Sequence, residues 1–330
     1  MSPAACRRLL STAFAAAVLS ACGGGGTGGD TSGVNSTATV QAASPSSTAS
    51  ANSFDTSPYA GAPATVSNVA IDGRNWINYR RAQMGMSTLT LNAQVERAAQ
   101  SHSDYQRLNN TITHSEDSKA DGYTGASLEA RLASAGLHLN PSNYADGEVI
   151  SATTNTSGFF MAEELITAIY HRFVIFHPGY KEIGTGSATT SRNYTYFTAD
   201  FVANNGTGPG LGRGRLAVWP VSGQTGVQPN FFSDQEEPDP VDTANEVGYP
   251  VSVHADNNAI VSVSSFTIKP RNGSNLAVKL LQNASDVRTP PSAAAIIPLS
   301  KLASATTYDV VFTGSADGVP VSLGWSFTTK

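Results

Sequence analysis

The sequence predicts an α+β domain, in which helices pack on both faces of a small sheet as an α-β-α sandwich, followed by an all-β sandwich. Two observations predict this division. Apolar residues between Val66 and Asn204 first recur at helical spacing and then alternate as they do in strands. From residue 246 to residue 330, short β-type runs are separated by turn residues. We therefore predict two domains, at 66–204 and 246–330, joined by a linker at 205–245.

The first two helices are predicted from their start and stop signals. One contains Trp76 and stops at Gly85, and the next begins at the N-cap residue Asn92 and continues to about Asn109. One face of this second helix is formed by residues at helical spacing, namely Val95, Ala98, Ala99, His102 and Tyr105. We interpret His102 as a packed histidine bonded to the backbone, and only as a weaker site candidate.

Two more helices and a hairpin complete the first domain. Ser127 can cap a third helix that Gly136 ends, and a fourth helix is predicted over 159–170. Strand-type runs follow at 183–186 and 193–202. In the second domain, the predicted strands are 249–254, 261–268, 277–282, 308–314 and 323–329.

The composition argues against one class of partner. The chain has 14% charged residues, a formal net charge of -5 and a pI near 5.7, and it contains no Lys/Arg run. Nucleic-acid-binding domains need a basic face. We therefore predict no nucleic-acid partner.

The N-terminus predicts export. Arg7 and Arg8 precede a short alanine-rich apolar stretch that suits a signal peptide and is too short to span a bilayer. Leu-Ser-Ala-Cys at 19–22 resembles the bacterial lipobox, which implies that residues 1–22 carry the signal and that Cys22 is diacylated and anchors the protein in the membrane of the cell envelope. The alternative is an ordinary secretory signal that is cut near Ala21.

The residues after Cys22 predict a tether. Residues 23–65 are rich in Gly, Ser, Thr and Ala and carry almost no large apolar side chain, so they read as a flexible spacer. The residue after the cysteine is Gly23 and not Asp, which favours transport of the protein to the outer membrane if the cell has one. Cys6 lies in the predicted signal, so the processed chain has no intramolecular disulfide.

Six short motifs follow one another between residues 79 and 201. They are Tyr-Arg-Arg-Ala-Gln-Met-Gly at 79–85 with Leu-Thr-Leu-Asn at 89–92, Ala-Ala-Gln-Ser-His-Ser-Asp-Tyr at 98–105, Thr-His-Ser at 113–115, Gly-Glu-Val-Ile at 147–150, His-Arg-Phe-Val-Ile-Phe-His-Pro at 171–178, and Ile-Gly-Thr-Gly at 183–186 with the strand at 196–201. In this order they resemble the CAP (SCP/PR-1-like) domain of bacteria. No single motif is specific, but the series is.

The resemblance implies a cleft lined by two histidines and an acid. Carried over by motif, these residues are His114, Glu148 and His171. Two imidazoles and a carboxylate suit Zn²⁺ or a similar ion. With such an ion, Glu148 is the candidate general base.

The sequence departs from the family pattern at two places. Many members carry a second acid shortly before the His-Arg segment, and residues 165–170 contain none. Glu163 and Glu164 lie earlier on the predicted helix and are weaker candidates. Val149 stands where the family has Asn. Both departures argue against metal-dependent chemistry.

The site residues also have structural interpretations. His114 lies in a polar loop, where a histidine is usually solvated. Glu148 can instead pair with Arg172, and His171 can be a cation at a helix C-terminus, which the helix dipole favours.

The C-terminal segments have a resemblance of their own. Thr-Thr-Tyr-Asp-Val-Val-Phe at 306–312 and Trp-Ser-Phe-Thr-Thr at 325–329 resemble the last strands of bacterial Ig-like domains. This implies a spacer or adhesive module without chemistry.

Three functions fit these observations. The first is a binding module for a lipid, peptide or cell-envelope ligand in the His/Glu-lined cleft. The second is a metal-assisted hydrolase that uses His114, His171 and Glu148. The third is an adhesive or structural surface protein that acts through the Ig-like domain. Whether the chain is an enzyme stays open at this point.

Overall fold

The computed structural model describes residues 54–330. The predicted signal peptide, Cys22 and the tether up to residue 53 lie outside the described residues. Among residues 54–330, no helix combines the length and apolarity that crossing a bilayer requires.

The first domain is a mixed α+β structure. Its helices are α1 (Val69–Gln83), α2 (Ala93–Asn109), α3 (Leu128–Ser134), α4 (Gly158–Thr167) and α5 (Ile169–Ile175). Its strands are β1 (Thr90–Leu91), β2 (Tyr144–Thr153), β3 (Glu182–Thr189) and β4 (Thr195–Asn204), and they form one sheet in the order β1-β3-β4-β2. β1 is parallel to β3, and the other pairs are antiparallel.

Helices cover both faces of this sheet, as predicted. On the α2 side, Thr198 of β4 accepts a hydrogen bond from Ser103. On the α1 side, Thr185 of β3 donates to the carbonyl of Ala70. Because successive residues of a strand point to opposite faces, even-numbered residues of β4 face α2 and odd-numbered residues face α1.

The local start signals of the helices are those that the sequence predicts. The side chain of Asn92 accepts from the first amides of α2, and Ser127 does the same for α3. The predicted face of α2 is buried, and His102 has no exposed surface.

The fourth predicted helix is divided in the structure. Ala168 is extended, with ψ of 120°, so α4 ends before it and α5 begins after it. The guanidinium of Arg172 donates to the carbonyls of Ile166 and Thr167, which the break leaves without helical partners. The apolar periodicity runs through the break, so the sequence pattern does not indicate it.

The rest of the chain is rich in strands. They are β5 (Ala217–Trp219), β6 (Asn230–Phe232), β7 (Glu246–Gly248), β8 (Val251–His254), β9 (Val261–Pro270), β10 (Val278–Gln282), β11 (Ala293–Pro298), β12 (Thr307–Ala316) and β13 (Val319–Thr328). They form sheets of order β10-β11-β8-β5 and β13-β12-β9 and the pair β6-β7. The predicted linker contributes β5 and β6, and a 3-10 helix, Ser233–Gln235, follows β6.

The two halves of the chain share a hydrophobic core. The rings of Phe176 and Trp219 lie 5.1 Å apart, and both side chains are fully buried. At the N-terminal end, Phe54 and Tyr59, which the sequence places in the tether, pack edge-on against Trp76. Aromatic packing therefore orders the end of the predicted tether.

Candidate functional site

Glu148 lies in the middle of β2, on the face that α2 covers. In the β2-β4 register it is opposite Asp200, so both carboxyl groups point to the same side. Even-numbered residues of β4 face α2, as Thr198 shows. The two acids are therefore enclosed between the sheet and the helices α2 and α3.

Two side chains hold the Glu148 carboxylate. Its Oε1 lies 2.8 Å from Nδ1 of His114, and its Oε2 accepts from Nη2 of Arg131 over 2.6 Å. Burial alone raises the pKa of this carboxyl. The charges of Arg131 and His102 and the hydrogen bond from His114 outweigh burial, so the pKa of Glu148 lies well below its usual range. Glu148 is therefore ionised.

His114 is the accessible member of this group. Its side chain is 24% exposed, whereas Glu148 is 5% exposed and Arg131 is fully buried. Since the ionised carboxylate of Glu148 can only accept, Nδ1 of His114 carries the proton in this contact. Arg131 also donates to the carbonyl of His114 over 3.0 Å, which fixes the loop that carries the ring.

His102 lies beneath this group and has two acceptors. Its Nδ1 is 2.8 Å from Oε1 of Glu116, and its Nε2 is 2.7 Å from the carbonyl of Thr113. A carbonyl can only accept, and Glu116 already accepts from the amides of Thr124 and Gly125. Burial raises the pKa of Glu116, but these hydrogen bonds and the one from His102 leave it below its usual value. Both ring nitrogens of His102 therefore face acceptors, and these contacts fix the ring.

The ring of His102 lies next to Glu148. Nε2 of His102 is 3.9 Å from Oε1 of Glu148. The prediction that His102 is packed and bonded to the backbone matches this geometry. The ring also contributes to the lowered pKa of Glu148.

Asp200 is the second buried acid of the site. Burial, and next the negative charge of Glu148, raise its pKa well above the usual value. Neither of its oxygens has a hydrogen-bond partner among residues 54–330. The raised pKa favours the protonated form of Asp200 beside the ionised Glu148, which keeps the negative charge on Glu148.

His171 lies elsewhere. It belongs to α5, and a Cβ on Gly147 of β2 would be 2.9 Å from Cγ1 of Val174 on that helix. Gly147 and Glu148 point to opposite faces, so the sheet separates α5 from the carboxylate of Glu148. Nδ1 of His171 is instead 2.9 Å from Oε1 of Glu236. The structure brings His114 and Glu148 together and places His171 with another acid.

The remaining candidates lie elsewhere in the fold. Glu163 binds the guanidinium of Arg80 through both oxygens, at 2.8 and 2.9 Å, and accepts from Nε1 of Trp76. Glu164 is exposed on the next position of α4. Arg172 pairs with carbonyl groups and not with Glu148.

The donor set does not fit the metal site that the resemblance implies. Within residues 54–330, no group of three or more His, Cys, Asp or Glu side chains is arranged to hold a metal ion. The His114–Glu148 pair lacks a third ligand, and the side chain that binds the second oxygen of Glu148 is Arg131, a cation.

Three members of the site are not among the residues that the sequence predicts. Arg131 stands at a core position of α3, next to Leu132, and a cation at such a position indicates a buried acid. Asp200 likewise interrupts a buried strand. Glu116 lies two residues beyond His114 and has no local signal, because its partners are set by the loop that follows.

Comparison with known proteins identifies the first domain. Residues 75–201 match the model of the CAP family, described as the cysteine-rich secretory protein family, and this part of the chain is a CAP domain. An extracellular protein containing a SCP domain from Bacillus anthracis str. Ames is 18% identical with a TM-score of 0.35, over 41% of this chain and 40% of that chain. The chain thus spans about two fifths of that protein's length. An outer surface protein from Borrelia burgdorferi is 16% identical with a TM-score of 0.33, over 40% of this chain and 90% of that one. No curated protein matches the chain.

Proposed function

We propose that this chain is an exported protein whose CAP domain binds a ligand of the cell envelope, and that the imidazole of His114 contacts this ligand. One observation carries the proposal. His114 is 24% exposed, while the side chains that hold it, Glu148 and Arg131, are buried. A fixed polar group at the edge of a buried network is typical of a recognition site.

The proposed ligand forms a hydrogen bond with His114. Nδ1 of His114 is occupied by Glu148, so Nε2 is the ring nitrogen left for a ligand. A hydroxyl group of a glycan or lipid, or the backbone of a peptide, can form a hydrogen bond with it. The buried contacts with Glu148 and Arg131 fix His114 in advance, which limits the entropy that binding costs.

The geometry supports binding better than hydrolysis. A general base works best with a pKa near the operating pH. The pKa of Glu148 lies far below that range, and both of its oxygens already accept hydrogen bonds. His171, the third residue of the hydrolase hypothesis, contacts Glu236.

The location is part of the proposal. The signal-type N-terminus and the lipobox-like sequence before Cys22 support export and attachment by a lipid.

Metabolic labelling with a palmitate analogue tests this attachment. We expect the wild-type chain and a Cys6→Ser variant to be labelled and a Cys22→Ser variant to be unlabelled. Equal labelling of all three would exclude Cys22 as the anchor.

Native mass spectrometry tests the ligand. We expect the full chain, purified from cell envelopes, to carry a bound compound that a His114→Ala variant loses. His138 is exposed, and its side chain makes no hydrogen bond or ion pair with residues 54–330, so His138→Ala is the matched control. The proposal fails if wild-type spectra are empty, or if both variants keep the compound.

The C-terminal part has a proposed role too. Its antiparallel strands are consistent with the Ig-like resemblance of residues 306–329, which supports a spacer or adhesive module. Adhesion assays with cells that carry the Trp325→Ala chain would test this role, because Trp325 belongs to the core of that part.

A further inference from the structure

The family resemblance places His171 at a ligand cleft, but His171 and its neighbour Arg172 both contact the part of the chain beyond the CAP domain. Nη1 of Arg172 donates to the carbonyl of Pro250 over 2.7 Å and approaches Oγ of Ser252 at 3.3 Å. Arg172 is fully buried, and its guanidinium lies 5.0 Å from the ring centre of Tyr249. Every one of these partners lies at or next to β8.

Glu236 binds the neighbouring position. Its Oε1 accepts from the backbone amides of Tyr170 and His171 at 2.7 and 3.0 Å, and it is 2.9 Å from Nδ1 of His171. Glu236 is 1% exposed. The break at Ala168 leaves the first amides of α5 without helical partners, and α5 has no side-chain cap of its own. Glu236 supplies that cap from a segment 65 positions away.

We propose that in this chain His171 and Arg172 bind the segment that follows the CAP domain and so act as docking residues. In this role the carboxylate of Glu236 binds the ring nitrogen of His171 in place of an external ligand. The partner of this surface is the segment from Ser233 to His254 of the same chain. The inference does not depend on His114 or on its ligand.

The surroundings of the contact fit a docking surface. The rings of Phe173 and Phe176 each lie 5.7 Å from the ring of His254, and all three side chains are buried. Burial lowers the pKa of His254 to about 3, and the charge of Arg172 adds to this effect. An uncharged His254 can accept from Ser252, the residue that also faces Arg172. The polar contacts are thus enclosed by apolar ones, as in a stable interface.

Hydrogen exchange of the full chain tests the cap directly. In Glu236→Ala, the amides of Tyr170 and His171 lose their acceptor, and we expect them to exchange roughly tenfold faster or more. Amides of β4 are the internal reference and should stay protected. Asp234→Ala removes an exposed acid from the same segment and is the matched control, with no change expected. Unchanged exchange in Glu236→Ala would overturn the proposal.

A double-mutant cycle covers the case in which Glu236→Ala does not fold. Glu236→Gln keeps an acceptor for the two amides but removes the charge that faces His171. We expect His171→Ala to lower the urea midpoint of the wild-type chain and to have little further effect in the Glu236→Gln background. Additive effects would show that the two side chains do not interact and would contradict the docking role.

Zinc titration separates this role from a shared cleft. The full chain and its His171→Ala variant should give the same calorimetric isotherm with zinc chloride. If His171→Ala and His114→Ala both abolished one stoichiometric zinc site, the two histidines would share a site, and the docking assignment would be wrong. If only the proposal about His114 failed, two results would still be expected. The isotherms of the full chain and of His171→Ala would agree, and the amides of Tyr170 and His171 would exchange faster in Glu236→Ala.

Discussion

Arg131 and Glu148 form an ion pair of 2.6 Å in which the arginine side chain is fully buried. Arg131 lies on α3, and its guanidinium faces the buried acids of the site. One of these acids, Asp200, is opposite Glu148 in the β2-β4 register. A buried pair is expensive to break, because the remaining charge keeps its desolvation cost and loses its partner. The pair therefore determines how the site responds to mutation.

We expect Arg131→Met to destabilise the protein by about 3–5 kcal/mol, because it leaves Glu148 ionised or forces it to take up a proton. Urea denaturation followed by circular dichroism measures the loss. Arg107→Met is the control, since the Arg107–Asp104 contact of 3.4 Å is a partly exposed pair on α2. A loss that is equally small in both variants would contradict the buried-pair argument.

The pH dependence of the unfolding free energy should reveal the raised pKa of Asp200. Its folded pKa is raised above the value of 3.8, so the folded state binds a proton that the unfolded state has released. This proton's contribution is fully present below pH 3.8, and stability is lost as the pH rises towards the folded pKa. The slope is at most about 1.4 kcal/mol per pH unit.

Asp200→Asn removes this contribution and keeps a neutral side chain of similar shape. The difference in unfolding free energy between the variant and the wild-type chain should therefore grow in favour of the variant as the pH rises above about 4. Glu148 does not obscure this window, because its lowered pKa affects stability only below its ordinary value of 4.5. Asp146→Asn is a comparison, since burial raises the pKa of Asp146 to about 7. A difference that is constant with pH would mean that Asp200 is ionised.

The sequence predicts those parts of the fold that depend on neighbouring residues. The caps at Asn92 and Ser127 are visible because an N-cap side chain bonds to amides two or three positions later. β11 is missed, because all six of its residues are buried and half are alanine, so it shows neither alternation nor strong β-propensity.

The site is predictable only in part, for the same reason. The resemblance indicates His114 and Glu148, which the structure places 2.8 Å apart. It cannot indicate Glu236, because that residue lies outside the CAP domain and reaches His171 only through the fold of the whole chain. The break at Ala168 is equally invisible, since the amides that follow it bind Glu236, a residue far along the chain.

The glycines of the Ile-Gly-Thr-Gly motif set the distance between α2 and β3. A Cβ on Gly186 would overlap the backbone of Gln100 on α2, and one on Gly184 would overlap that of Glu96. Gly186→Ala must therefore push the helix away from the sheet. We expect a loss of about 1–3 kcal/mol or more in the free energy of unfolding.

Gly324→Ala is the matched control for this substitution. Gly324 also lies within a strand, and the nearest heavy atom to its added Cβ is 4.0 Å away. Thermal unfolding of both variants should show a large fall in Tm for Gly186→Ala and almost none for Gly324→Ala. Equal Tm values would mean that α2 can move from β3 without cost.

The shared core predicts that the CAP domain depends on the second half of the chain. Trp219 of β5 is fully buried against Phe176, and its Nε1 donates to Tyr249 over 2.8 Å. We expect Trp219→Ala to cost about 3–5 kcal/mol, as other buried tryptophan truncations do. If the two halves unfold together, near-ultraviolet circular dichroism and the exchange of β4 amides should report the same reduced midpoint. Separate midpoints, with β4 unaffected, would show that the CAP domain is stable without this contact.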